Sequence, residues 1–235
     1  MFVGRLTIGN HGPLHVREER LSVRHDACRL MYVSDIHLRP RRSEVLCRQV
    51  IESARTTQID ALLLGGDLVD ARTELGKLNE LVGSLCEIAP VFAVGGNHDR
   101  HVGMHRVRDT VVAGGGEWIH SSVVHVTHGA RVIAFAGPDV TSIPEGDVRV
   151  LCAHNPRIWK KARQNRYDLV LAGHLHGCQV VAFEYQNRLF PGAVFYPYCF
   201  LSHQYGAARL VVSRGVSDLV PIRWCCPREV ILCHV

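Results

Sequence analysis

Five short apolar runs, each ending in a polar motif rich in glycine, aspartate and histidine, constrain this chain more than any other feature. Residues 30–33 lead into Ser34, Asp35, Ile36 and His37, and residues 61–64 into Gly65, Gly66 and Asp67. Residues 91–94 precede Gly95, Gly96, Asn97, His98 and Asp99. Residues 148–153 run up to His154, and residues 169–172 to Gly173, His174, Leu175 and His176. Runs this short and this continuously apolar read as strands buried on both faces, and the motifs as the loops at their ends. In open α/β sheets such loops converge on one crevice at the carboxyl ends of the strands, however far apart they lie in sequence.

The side chains delivered there have a common chemistry. Asp35, His37, Asp67, Asn97, His154, His174 and His176 are all metal-ligand types. Two divalent cations about 3.5–4 Å apart lower the pKa of a shared water and clamp both oxygens of an in-line phosphoryl displacement. Such a pair needs a bridging carboxylate, and Asp67 is the candidate. Mixed imidazole, carboxylate and amide ligation suits Mn, Fe or Zn. Glycine at positions 65, 66, 95, 96 and 173 permits tight turns and close backbone approach to a bound group. Any one of these motifs alone is weak, since Gly and Asn mark ordinary turns. The five in order leave, as the main non-enzymatic alternative, a metal-binding scaffold without catalysis.

The ordered set D-x-H, G-D, G-N-H-D, H and G-H-x-H resembles the calcineurin-like metallophosphoesterase superfamily over residues 35–176. The resemblance implies a four-layer αββα sandwich with two mixed sheets and a dinuclear centre at the strand ends. It implies one metal on Asp35, His37, Asp67 and His176, and a second on Asp67, Asn97, His154 and His174. It also implies that a hydroxide bridging the two metals is the nucleophile, that His98 stabilises the transition state or protonates the leaving oxygen, and that Asp99 orients the His98 ring. Protein Ser/Thr phosphatases of the superfamily differ where this chain has Leu38, the run Val69, Asp70, Ala71 and Arg72, and Asp99. The chain is more similar to bacterial membrane-associated phosphoesterases related to UDP-diacylglucosamine pyrophosphatases, although Cys178 stands where those often carry glycine and no export segment is evident. Phosphate esters, lipid headgroups or nucleotide conjugates are the substrates so implied, with a nuclease of the same superfamily as the second enzymatic reading.

Composition sets the remaining bounds. A chain of 235 residues, 47% hydrophobic, suits one α/β domain over residues 1–235. No run approaches the roughly 18 apolar residues of a membrane-spanning helix, and the first twelve residues lack a secretory core, so a cytoplasmic protein is expected. Nine cysteines without a C-x-x-C pair read as reduced thiols, Cys178 among them as a small apolar residue rather than a ligand. The net charge is +5, with Arg39, Arg41 and Arg42 after the first motif and Arg100, Arg106 and Arg108 after the third. These clusters suit a phosphate-rich substrate, an anionic membrane face or simple solvation. No dedicated nucleic-acid module and no obligate protein partner is indicated. Phe195, Tyr196, Tyr198, Phe200 and Tyr205 form an aromatic group that reads more readily as core than as the lining of an acyl or base pocket.

Helical spacing of Leu46, Val50, Ile51 and Ala54 after Ser43, read as a cap, predicts a first helix. Leu75, Leu78, Leu81, Val82 and Leu85 predict a second after Thr73. Beyond Trp118, residues 122–126, 131–136 and 180–184 predict antiparallel hairpins.

Overall fold

The computed structural model describes residues 5–10, 12–22 and 26–235. Residues 1–4 and 11, part of the segment read as lacking a leader, lie outside the described residues.

All five apolar runs are strands, at Arg29–Val33, Ala61–Gly65, Val91–Val94, Val148–Cys152 and Leu169–Ala172. They are divided between two six-stranded sheets. The first runs in the order His15–Arg20, Glu229–His234, Arg29–Val33, Ala61–Gly65, Val91–Val94 and Glu117–Trp118. Its pairings are parallel except where Glu229–His234 meets Arg29–Val33. The second runs Ser202–Tyr205, Ala208–Val212, Leu169–Ala172, Val148–Cys152, Arg131–Ala136 and Val123–His128, with a parallel centre and an antiparallel pair at each edge.

Alternation along the strands builds the layers, because successive side chains point to opposite faces. In the first sheet Met31, Val33, Leu62, Leu64 and Ala93 face the helices Ser43–Thr56, Leu75–Cys86 and Met104–Ala113, through Leu46, Val50, Leu78, Val82, Val107 and Val111. Their neighbours Leu30, Tyr32, Leu63, Phe92 and Val94 face Ile133, Phe135, Val150, Cys152, Leu169 and Leu171 of the second sheet. On the far side of that sheet, Leu151, Val170, Ala172, Leu210 and Val212 are covered by Trp159 and Ala162 of the short helix Trp159–Gln164, with Tyr167 and Phe200. The result is the αββα order, with a thin outer layer on the second sheet. Truncating a residue such as Leu46 or Leu63 to alanine would cost about 2–5 kcal/mol.

Local details depart from expectation in three places. Ser43 is the first residue of its helix, not the cap; Arg42 precedes it, and the Ser43 hydroxyl donates to the Arg39 carbonyl at 3.0 Å and to the Glu74 carboxylate. The hairpins form from Val123–His128 with Arg131–Ala136 and from Val181–Tyr185 with Arg188–Pro191, but the latter is a separate two-stranded sheet, and the second six-stranded sheet is parallel at its centre. Of the aromatic group read as core ahead of a pocket lining, Phe200 is buried and Tyr198 packs against the core, while Phe195, Tyr196 and Tyr205 are exposed. Every cysteine is a free thiol, and Cys178 packs with Cys199 and Cys226 in a small apolar cluster.

Candidate functional site

Side chains from both sheets meet where the two strand sets end. The Tyr32 hydroxyl of the first sheet donates to the Ala153 carbonyl of the second at 2.8 Å, one residue before His154. His154 crosses back through Nδ1 to the Gly65 carbonyl at 3.1 Å, two residues before Asp67. Loop-to-loop backbone bonds continue the lacing, from Asp35 N to Gly66 O, His37 N to Asp67 O and Ser217 N to Asp35 O. All seven candidate ligands are held in this junction, and Asp35, His37, Asp67 and His154 are buried.

They fall into two groups joined by one carboxylate. Ligand atoms of Asp35, His37 and His176 lie within 4.8 Å of one another, as do those of Asp67, His154 and His174. Asp67 Oδ2 stands 3.2 Å from His154 Nε2 and 3.9 Å from His37 Nε2, so it faces both groups. Asn97 Oδ1 joins the second group at 3.0 Å from His154 Nε2. The other oxygen of Asp67 accepts the His98 backbone N–H at 2.8 Å.

The donor set fits divalent cations because the outer nitrogens of three imidazoles are already committed. His37 Nδ1 meets Asp70 at 2.8 Å, His154 Nδ1 meets the Gly65 carbonyl, and His176 Nδ1 meets the Ser217 carbonyl at 2.8 Å and Asp218 at 3.0 Å. Assigned from these acceptors, each ring carries its proton on Nδ1 and turns the Nε2 lone pair inward. His37 Nε2 and His176 Nε2 are then 3.4 Å apart, and His154 Nε2 and His174 Nδ1 3.1 Å apart. Facing lone pairs at such distances repel unless a proton or a cation lies between them.

Electrostatics among these side chains follow the same pairing. Burial would raise the Asp67 carboxyl, but His154, the His98 N–H and His37 outweigh it and bring it down to about 2. Burial opposes the charged form of His154, yet Asp67 and Asp35 push it up to about 9. Burial likewise opposes ionisation of Asp70 and Asp218, which His37 with Arg39, and His176 with Arg223, nevertheless hold below the usual carboxylate range.

Backbone geometry is specialised at the ligands. Asp35, His37, Asp67, His174 and His176 all have positive φ, between 50° and 76°, a region non-glycine residues seldom occupy. Close approach requires glycine beside them. A Cβ on Gly96 would collide with the Asp67 carboxylate and backbone, and one on Gly173 with the side chains of Asp35 and Ser34.

The two residues expected to act beside the metals are placed differently from one another. His98 stands at the site, its ring 4.7 Å from that of His37 in an edge-on arrangement. Asp99 does not serve it. Both Asp99 oxygens are bonded to backbone N–H groups, of Leu68 at 2.9 Å, Val69 at 3.1 Å and Gly96 at 2.8 Å, fully buried between the second and third motif loops. The carboxylate at His98 Nδ1 is Asp70, 3.0 Å away. Sequence reading therefore missed Asp70 and Asp218 as partners of the imidazoles. Asp70 sits three residues after Asp67 in the same motif, a proximity that could have flagged it, whereas nothing in sequence ties Asp218 to His176.

Beside Asn97 and His154 opens a cleft of about 440 Å³, lined also by Arg100, His120, Asn155 and Lys161. Of the basic clusters, Arg100 thus borders the site, and Arg39 pairs with Asp70. Arg106 and Arg108 lie on the helix Met104–Ala113.

Comparison with known proteins agrees with this geometry. The family model described as calcineurin-like phosphoesterase matches residues 28–178. Phosphodiesterase YaeI of Escherichia coli strain K12 is 27% identical over 228 residues, covering 86% of this chain and 80% of that protein. An uncharacterized metallophosphoesterase of Helicobacter pylori strain J99 is 25% identical over 219 residues, and this chain spans 58% of its length. Among solved structures, phosphopantetheinyl hydrolase from Mycobacterium tuberculosis superposes with a TM-score of 0.51 at 12% identity, over 85% of this chain and 96% of that one, a likeness of fold. The chain belongs to the calcineurin-like phosphoesterase family and is a metal-dependent phosphoester hydrolase.

Proposed function

We propose that the protein is a two-metal phosphodiesterase acting on a small organic phosphodiester or pyrophosphate, such as a lipid headgroup or nucleotide conjugate. The observation behind this reading is the shared position of Asp67 Oδ2 between the two ligand groups. Asp35, His37, Asp67 and His176 would hold one cation, and Asp67, Asn97, His154 and His174 the other. When bound, such a pair supplies an acidified water as nucleophile and Lewis acidity at the phosphoryl oxygens.

The chain's own groups do the rest. Asp70, Asp218 and the Gly65 and Ser217 carbonyls fix the ligand rings from behind, so little rearrangement is needed as charge develops. Asp70 also accepts from His98 Nδ1 and orients the ring, leaving Nε2 to give a proton to the departing oxygen. The cleft with Arg100 and Lys161 would hold the second substituent of a diester. A phosphodiesterase is favoured over a monoesterase because that cleft adjoins the ligands and because YaeI bears the name phosphodiesterase.

Turnover of bis-p-nitrophenyl phosphate against p-nitrophenyl phosphate, by wild type and Asp67→Ala loaded in turn with Mn, Fe and Zn, tests the reading. Metal-dependent hydrolysis of the diester that is lost in Asp67→Ala is the expected result. Equal activity in both proteins would remove the site from consideration, and two bound metals without hydrolysis of either ester would favour a binding scaffold.

A further inference from the structure

We propose that an inside-out ribbon beside the metal site docks the protein onto an anionic lipid surface. Strand Leu6–Ile8 pairs antiparallel with Ile222–Trp224, matching Leu6 with Trp224 and Ile8 with Ile222. A two-stranded ribbon on a folded body normally turns its apolar face inward and its polar face to water. Here the polar face is inward: Arg223 is only 2% exposed, bonded to Asp218, whereas Ile8 is 68% exposed and Trp224 40%. Leu6 and Ile222 are exposed with them.

The apolar surface continues on both sides. Leu219 and Val220, directly before the ribbon, are exposed. Val180 bridges to Trp224, and Gln179 bonds to the carbonyls of Val220 and Ile222, which ties in the hairpin bearing exposed Phe183 and Tyr185. That hairpin runs into the helix Gly192–Phe195, where Phe195 is 75% exposed, followed by exposed Tyr196. Exposure of this many large apolar groups on segments bonded to one another marks an interaction surface rather than scatter.

Charge selects the occupant. Arg39 donates to the Leu219 carbonyl and Arg42 to the Asp218 carbonyl, placing the basic run 39–42, with exposed Arg41, against the same loop. Arg5, also exposed, adjoins the ribbon through its carbonyl bond to Cys225. Apolar side chains bordered by arginines match an acyl interior beneath anionic headgroups. A second copy of the chain meeting this face about a two-fold axis would set the same arginines against one another.

The docked face leads straight to the site, since Ser217 and Asp218, which hold His176, immediately precede Leu219. Delivery of a lipid-borne phosphoester to the metals rests on the hydrolytic reading above; the docking does not. The test is co-sedimentation of the whole chain with phosphatidylcholine vesicles, with and without phosphatidylglycerol, read apart from hydrolysis. Wild type should bind anionic vesicles at least roughly tenfold more tightly than neutral ones. Val220→Ser with Phe195→Ser, and separately Arg41→Gly, should each weaken anionic binding about tenfold while leaving hydrolysis of soluble bis-p-nitrophenyl phosphate unchanged. Equal partition onto both vesicle types, wild type left in the supernatant, variants that sediment like wild type, or a concentration-dependent dimer dispersed by the Ser pair would each overturn the proposal. Sedimentation of a hydrolytically inert wild type would refute the phosphodiesterase reading alone.

Discussion

Asp70 Oδ1 lies 3.0 Å from His98 Nδ1, and the same oxygen lies 2.8 Å from His37 Nδ1. One carboxylate thus steers both a metal-ligand candidate and the candidate proton donor. Asp70→Asn keeps the volume but replaces the carboxylate that accepts from both rings with an amide. Its kcat on bis-p-nitrophenyl phosphate should fall about 10–100-fold, with a smaller change in KM. Steady-state kinetics together with metal analysis check this, and unchanged kcat would contradict the steering role.

Asp99 is expected to answer differently. Its carboxyl is pushed up to about 6, chiefly by burial and also by Asp67, against three backbone N–H donors that favour the charge. Asp99→Asn replaces an acceptor with a donor facing those N–H groups. A loss of about 1.5–3 kcal/mol in unfolding free energy should follow, measured by urea titration. Because both motif loops hang on this carboxylate, metal retention should fall in parallel with stability.

Close packing at the bridge gives a third expectation. Gly96→Ala would drive a methyl group into Asp67 and displace the shared carboxylate. Metal affinity should drop about 10–100-fold by competition with a chelating dye, while Gly12→Ala, where a Cβ meets nothing, should leave it unchanged.

Glu229 ties the sheets together. It bonds to Arg17 Nε at 3.2 Å and to Arg214 N and Nε at 3.0 and 2.7 Å, fully buried. Burial alone would raise its carboxyl, but the two guanidinium groups hold it below the usual range. A depressed carboxylate contributes its full stability above the unfolded value of about 4.3 and loses it as pH falls through the folded one. Stability should therefore decline with acid below about pH 4.3, and less steeply in Glu229→Gln. At neutral pH that variant leaves buried Arg214 without its counter-charge and Arg17 with Glu19 alone, and should lose about 3–5 kcal/mol by denaturant titration.

Much of the first sheet, and the convergence of the loops that bear the candidate side chains, could be read from sequence because strands buried on both faces must be apolar throughout, with the polar groups left to the loops that end them. Residues 30–33, 61–64 and 91–94 obey that rule without exception. The second sheet was legible in its pieces but not in its direction, since the hairpin signal at one edge says nothing of the parallel centre. Residues whose role depends on chain segments far away were opaque. Asp218 meets His176 across 42 positions of sequence, and Asp99 was drawn to the wrong partner because adjacency to His98 in the chain is not adjacency of side chains. The exposed ribbon was missed for a related reason. Apolar alternation in residues 6–8 and 222–224 announces strands without saying which face is turned to water.

Strand Glu229–His234 occupies an inner place in the first sheet, between His15–Arg20 and Arg29–Val33. During synthesis, the segment bearing Asp35 and His37 leaves the ribosome some two hundred residues before the neighbour that completes its hydrogen bonding. The hydrolase is therefore committed to assembling its reaction centre after translation has passed this strand, and a nascent chain halted short of it would expose an open sheet edge to other proteins.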